Sequence, residues 1–446
     1  MNIDIKIPSQ VSEILGKFQN SGFEVYIVGG VVRDILLNKT LYDWDFTTNA
    51  IPEQILELYP DGFYDNKFGT VGIENTDGGR PHEITTYRTE TGYSDNRHPD
   101  EVKWGKTLED DLRRRDFTIN SMAINHKMEL VDLYGGQEDL KNKLIRCVGD
   151  ANERFNEDAL RMMRAVRIAA QLQFTIEPVT MRAIQTNASK IGQISAERIR
   201  DELLKIMASD WAADGYLILK NSGLGKEVLP EMEAAFGVEQ KSPDRHHIYD
   251  VGTHCVEALR HCANPDPITR LATLLHDVGK VKTQKVFPDG RITFYNHEME
   301  STKIAEKIAE RLRLSNKDED KLLKLVRWHQ FTMDEKMTDS AVRRIITNVG
   351  SEYVKDLIDL RVADRIGSGA APSSWRLEKL LERFEEVQKQ PFSIPDLKID
   401  GNDVMEIKGL KPGPEVGKYL QMLFIEVTEK GVANEKEALL KRLGEL

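Results

Sequence analysis

Cysteine is scarce: Cys147, Cys255 and Cys262 are the whole complement of 446 residues. Three scattered thiols build neither a disulfide framework nor a cysteine-rich zinc site, and they suit a reducing cytoplasm. No apolar run reaches the roughly 18 residues that a membrane span needs, so no membrane partner is expected. The opening residues, MNIDIKIPSQ, lack the basic segment and apolar stretch of a secretory signal. An excess of positive charge is missing too, because 62 Lys and Arg face 73 Asp and Glu, a net charge of −11. A polybasic surface that grips any nucleic acid is therefore excluded, and no DNA partner is expected. The acidity is uneven. Residues 1–150 carry 17 basic and 26 acidic side chains, while the rest is close to neutral, which leaves room for local basic stripes.

What is present divides by character. Short β-branched or aromatic runs bounded by turn residues fill the first 150 positions: FEVYIV, YDWDFTT, GTVGIE, HEITTYR and MELVDLY. From EDALRMMRAVRIAAQLQF onward the pattern is helical. The chain reads as α+β, with a sheet-bearing head at 1–150 and a helical neck at 151–240. A helical body at 241–370 and a helical tail at 371–446 follow, GSGAAPSS marking the last linker.

Within the head, a strand ends in Gly29-Gly30 and leads into the helix start VVRDILL. This is either a tight turn or a place where backbone N–H groups approach a phosphate, with Arg33 adding charge. No P-loop or dinucleotide fingerprint accompanies it. Asp43 and Asp45, alternating on a predicted strand, would share one face. They are a solvated edge or, so close after Gly-Gly-x-x-Arg-Asp, an oxygen-ligand pair for Mg²⁺ in two-metal phosphoryl or nucleotidyl transfer. Arg113-Arg114-Arg115-Asp116 precedes an apolar stretch that would anchor it. Asp158, Arg161, Arg164 and Arg167, three residues apart, would wind along one flank of a helix. That ribbon is either ion-paired surface or a set of donors and acceptors for a base and phosphates.

GGVVRD, DWDF, RRRDFTINSMA and EDALRMMRAVR, in this order, resemble the class II tRNA nucleotidyltransferases and their bacterial poly(A) polymerase relatives over about residues 20–235. The resemblance implies a polymerase-β-type nucleotidyltransferase head with a mixed or antiparallel sheet. It implies triphosphate contacts from Gly29, Gly30 and Arg33, Mg²⁺ ligation by Asp43 and Asp45, and phosphate and ribose contacts from Arg115 and Asp116. Asp158 and Arg161, within Glu157-Asp158-Ala159-Leu160-Arg161, would be a protein template for CTP or ATP, and Arg164 and Arg167 would extend the nucleotide site. The implied activity is addition of CCA to the 3′ end of tRNA with release of pyrophosphate. The segment Ile84–Trp104 resembles the flexible loop that CC-only enzymes have lost, with Arg97-His98-Pro99 where many members carry Arg-Arg-Pro. Poly(A) synthesis or A-only addition is the nearest alternative, although the tail, ending KRLGEL, lacks a basic extension.

Seven of the ten histidines fall within residues 246–329. The order His254, His276-Asp277, His297, His329, Asp364 resembles an HD metal-dependent phosphohydrolase over about 245–370. It implies His254, His276, Asp277 and Asp364 as core ligands of a divalent transition metal such as Ni, Mn, Co or Fe. His297 and His329 would hold a second metal or phosphate. A phosphohydrolase whose head only senses nucleotides is the alternative from another class. His246 and His247 receive no role. In the tail, Leu420, Leu423, Phe424 and Val427 form a core stripe, and the resemblance implies tRNA contact by that region.

Overall fold

The computed structural model describes all residues except 1–6, 42, 65–68, 77, 92–100, 241–247, 332–338, 372, 374, 389–393 and 429–430. His246, His247 and Arg97-His98-Pro99 lie outside the described residues. The chain divides into two compact units, residues 1–233 with 311–313, and residues 234–310 with 314–446.

The first unit is built on a seven-stranded mixed sheet. Its strands are β1 (Val25–Val28), β2 (Asp45–Thr48), β3 (Phe63–Tyr64), β4 (Thr70–Ile73), β5 (His82–Thr86), β8 (Met122–Ile124) and β9 (Leu130–Asp132), in the order β3-β4-β5-β2-β1-β8-β9. β2 and β5 run parallel; the other neighbours are antiparallel. β1 reads VYIV and is largely buried as an interior strand; Ile27, Phe46 and Ile84 lie in register across β1, β2 and β5 and are buried, as are Phe117 and Ile119. β6 (Arg88–Thr91) and β7 (Glu101–Trp104) form a separate antiparallel ribbon, so part of the expected flexible loop is regular strand.

Two expectations are corrected. β2 begins at Asp45, so Asp43 precedes the strand and strand alternation does not relate the two side chains. Nor does one helix carry the Asp158–Arg167 series. Helix Ala151–Glu157, capped by the Asp150 side chain on Glu153 N–H, stops before Asp158, whose φ −143° and ψ 106° are extended. A second helix, Leu160–Leu172, then begins and carries Arg161, Arg164 and Arg167, with Met162, Met163, Ala165, Val166 and Ala169 buried. Asp158 is thus a junction residue.

The second unit is almost wholly helical. Helix Pro267–Leu275 is buried all round, begins at Pro267 after the Asp266 cap, and ends into His276-Asp277. Helices Val251–Arg260, His297–Arg311, Asn316–Trp328 and Val354–Gly367 contribute the other residues of the histidine series or abut them. Between Asp277 and His297 the helical pattern gives way to a small antiparallel ribbon, Lys285–Val286 with Ile292–Thr293. The tail makes its own core from Leu397, Ile399, Val404, Val416, Leu423, Val427, Leu439 and Leu443, with Leu420 and Phe424 partly buried against it.

Candidate active site and a histidine–aspartate cluster

In the first unit a cavity of about 440 Å³ gathers most of the candidate nucleotide residues: Gly29, Gly30, Arg33, Asp45, Arg115, Asp116, Asp158, Arg161, Arg164 and Arg167 all line it. Seven arginines and three aspartates face it, so it is locally basic inside an acidic head. Gly29 has φ +81°, and a Cβ there would sit 3.2 Å from Arg115 Nη1 and 3.6 Å from Asp45 Oδ2. Glycine is required at this turn both for its backbone conformation and for the nearness of the site.

Asp45 opens β2, opposite Val28 on β1 and in parallel register with Glu83 on β5. Burial pushes its carboxyl up to about 6, and Glu83 and Asp43 add to the shift against Arg115. A partly buried carboxylate raised by two others is the arrangement that a divalent cation relieves, and oxygen donors suit Mg²⁺. Asp43 is exposed, lies 3.8 Å from Arg80 Nη1, and does not line the cavity.

The arginines are held from beneath. Arg33 donates Nε and Nη2 to Asp34 and Nη1 to Asn120 Oδ1 at 2.8 Å. Asp111, completely buried, takes Arg114 on Oδ1 and Arg115 on Oδ2. Burial raises its pKa, but the two guanidinium groups outweigh that and hold it at about 2. Asp116 accepts from Phe117 N–H and Asn120 Nδ2 on Oδ1, and from Arg164 Nε on Oδ2 at 2.8 Å. Burial again opposes ionisation, and Arg164 overcomes it, leaving Asp116 well below the usual carboxylate range. Asp116 is therefore committed first to Arg164. Arg167 Nε donates to Glu202 at 2.6 Å.

Arg164→Leu would leave Asp116 buried without its cation. It is expected to cost roughly 2 kcal/mol or more at pH 7 in denaturant unfolding. A depressed folded pKa stabilises above the unfolded value, about 3.9, and that stabilisation is lost as pH falls through the folded one. The difference from wild type should therefore shrink below about pH 4.

Asp158 Oδ1 accepts Leu160 N–H at 2.9 Å, and Oδ2 accepts Arg198 Nη2 at 2.8 Å. Arg161 donates to Glu157 and to the backbone carbonyls of Arg154 and Arg114. Sequence reasoning missed Glu83, Asp111, Asn120 and Arg198, whose partners are distant in sequence or hidden in an unremarkable acidic stretch.

In the second unit the six histidine-series residues converge although they come from separate elements. His254 and His276 approach within 3.2 Å through their Nε2 atoms. Asp277 Oδ2 lies 3.3 Å from His254 Nε2 and 3.2 Å from His276 Nε2, while Oδ1 lies 3.2 Å from His297 Nε2 and 3.6 Å from His329 Nε2. Asp364 Oδ1 lies 3.1 Å from His254 Nε2. Asp277 thus turns one oxygen to each half of the cluster. In His276, His297 and His329, Nδ1 faces the carbonyl three residues back at 2.7, 2.8 and 2.7 Å. An Nδ1–H donated there leaves the Nε2 lone pair for a cation. Burial lowers the His276 pKa, but Asp277 and Asp364 outweigh it and hold the proton up to about 10. A metal would replace that proton. Gly279 follows because a Cβ there would lie 2.3 Å from His297 O. Mixed imidazole and carboxylate donors fit a transition metal. The adjoining cavity, about 650 Å³, is lined by Lys280, Arg327, Arg361 and Arg365.

Comparison with known proteins follows the same division. Residues 25–146 match the Poly A polymerase head domain, 173–236 the family described as the probable RNA and SrmB-binding site of polymerase A, and 292–443 tRNA nucleotidyltransferase domain 2 (putative). His254, His276 and Asp277 lie outside these three stretches. The chain is 32% identical over 435 residues to the CCA-adding enzyme of Lactobacillus helveticus, covering 97% of this chain and 96% of that one. It is 32% identical over 440 residues to the CCA-adding enzyme of Pediococcus pentosaceus, covering 97% and 96%. The crystal structure of the Bacillus stearothermophilus CCA-adding enzyme in complex with CTP superimposes with a TM-score of 0.71 at 29% identity, over 99% of this chain and 98% of that one. The head is of the polymerase-β nucleotidyltransferase type on a mostly helical body, and no helix among the described residues is long and apolar enough to cross a membrane. With relatives matched along nearly their whole length and the nucleotide motifs drawn into one arginine-rich cavity, the chain belongs to the CCA-adding enzyme family of tRNA nucleotidyltransferases.

Proposed function

We propose that this protein adds C, C and A in turn to the 3′ end of tRNA from CTP and ATP, releasing pyrophosphate at each step. The observation that carries the reading is a single cavity shared by Asp45, the anchored arginines and the Asp158–Arg161 pair. Arg33, Arg115, Arg164 and Arg167 take the triphosphate, with Gly29 and Gly30 allowing close approach. Asp116 holds Arg164 and turns its remaining acceptor capacity to the ribose. Asp43 and Asp45 would hold Mg²⁺, which when bound stabilises charge on the attacking and leaving oxygens. Asp158 accepts from an exocyclic amine and Arg161 donates to the neighbouring ring nitrogen. Both C and A offer that donor–acceptor pair; U and G offer a carbonyl and a ring N–H, which leave both protein groups mismatched.

The second unit contributes an HD-type metal centre. His254, His276, Asp277 and Asp364 are its core ligands, and His297 and His329 serve a second metal or the phosphate. The metal is a transition metal of the Ni, Mn, Co or Fe kind, and the cavity's four cations suit a phosphoester. Thr293 Oγ1, buried and without a hydrogen-bond partner, lines that cavity. The domain boundaries proposed are 1–150, 151–240, 241–370 and 371–446, with tRNA also held by the tail. Three buried free thiols accord with the cytoplasm, where tRNA is matured.

The test supplies tRNA lacking its 3′ CCA with labelled nucleotides. CTP alone should give two additions, and CTP with ATP three. Long A tracts would instead mean a poly(A) polymerase, and incorporation unaffected by Asp43→Ala would refute the reading.

A further inference from the structure

We propose that Arg198 is a positioning residue that sets base selectivity by fixing the Asp158 carboxylate; the proposal rests on Asp158 being the base-reading acceptor. Asp158 has no helix to hold it, since it sits in extended backbone between two helices. Its carboxylate is fixed from two directions instead. Leu160 N–H holds Oδ1 at 2.9 Å. Arg198, in the first turn of helix Ala196–Met207, reaches across with Nη2 on Oδ2 at 2.8 Å and Nη1 3.5 Å from Oδ1. One hydrogen bond alone would let the carboxylate turn about its terminal torsion, which is broad for aspartate. The planar fork stops that rotation.

Selectivity follows from the acceptor count. A carboxylate offers about four lone-pair sites. Oδ2 gives one to Arg198 and keeps another for the amine of C or A, so the base need not displace Arg198. Arg161, the donor half of the pair, is fixed independently by Glu157 and by the carbonyls of Arg154 and Arg114. The carbonyl of U or G would face an immobile acceptor. If Asp158 were free to swing aside, that repulsion would be relieved at little cost. Arg198 also lines the cavity as one of seven cations, and a purely electrostatic role there would act alike on every triphosphate. The ratio between nucleotides separates the two roles.

The experiment measures kcat/KM for CTP and UTP on tRNA lacking CCA, in wild type, Arg198→Met, Arg198→Lys and Asp158→Asn, each checked for wild-type melting. The CTP/UTP ratio is expected to fall about 10-fold or more in both Arg198 variants, because Lys keeps the charge and loses the fork. A wild-type ratio in Arg198→Lys, or an equal loss for both nucleotides in Arg198→Met, overturns the proposal. Asp158→Asn distinguishes the failures. If it alters the ratio while the Arg198 variants do not, only the role of Arg198 is wrong. If it leaves the ratio unchanged, the reading of Asp158 fails first.

Discussion

Asp45→Asn is expected to reduce nucleotidyl transfer by about 10³-fold or more while making the Mg²⁺-free protein more stable at pH 7. Both effects have one source. Burial, with Glu83 and Asp43 nearby, raises the Asp45 carboxyl to about 6, against about 3.9 for an unperturbed aspartate. Between these values the folded state binds more protons than the unfolded one, so wild-type stability falls as pH rises from about 4 to 6. Above pH 6 the ionised carboxylate opposes folding by up to about 3 kcal/mol, and a bound cation offsets that. The asparagine variant lacks the charge and loses the pH slope. Chemical unfolding with and without Mg²⁺, at pH 5 and pH 7.5, measures both halves. A variant less stable than wild type at pH 7.5 without Mg²⁺ would mean that Asp45 is an ordinary structural carboxylate.

If the histidine–aspartate cluster is the metal centre proposed above, His276→Ala should abolish metal binding by the second unit and lower any phosphoester hydrolysis there by about 10²-fold or more. CCA addition should stay within about twofold, since no nucleotide residue of the head depends on it. His276 belongs to the His254 half of the cluster, 3.2 Å from both His254 Nε2 and Asp277 Oδ2. Alanine there removes one ligand and the Nδ1 hydrogen bond to Thr273 O that aims it. Metal content by mass spectrometry after loading with Ni, Mn, Co or Fe reads the site directly, whatever its substrate. Unchanged metal content in the variant would dismiss the metal assignment.

Much of the candidate nucleotide site was legible because its signals are local. The strand, double glycine and helix start depend on a few adjacent residues, and Gly29 adopts the positive φ that its type favours. The arginines of Leu160–Leu172 were legible because three-residue spacing on a helix keeps them neighbours. The histidine series was legible as an order of ligand types, although only folding shows Asp277 dividing its oxygens between two groups of imidazoles. The supports were not legible, since tertiary pairing makes them. Glu83 meets Asp45 only through the parallel register of β2 and β5. Asn120 meets Arg33 across 87 residues, and Arg198 meets Asp158 across 40. The break at Asp158 was hidden because ANERFNEDALRMMRAV contains neither proline nor glycine. Average charge alone would mislead, because an acidic chain carries a cavity lined by seven arginines; the near-neutral charge beyond residue 150 left room for such a local stripe.

The central claim is that protein side chains, with no nucleic-acid template, read both C and A in one pocket. Sequencing the 3′ ends made from tRNA lacking CCA, in a mixture of all four nucleoside triphosphates, tests it most directly when wild type and Asp158→Ala are compared. Wild-type ends should read CCA, and the variant should incorporate mixed bases at all three positions. A variant that still writes CCA would place the template elsewhere and contradict the account.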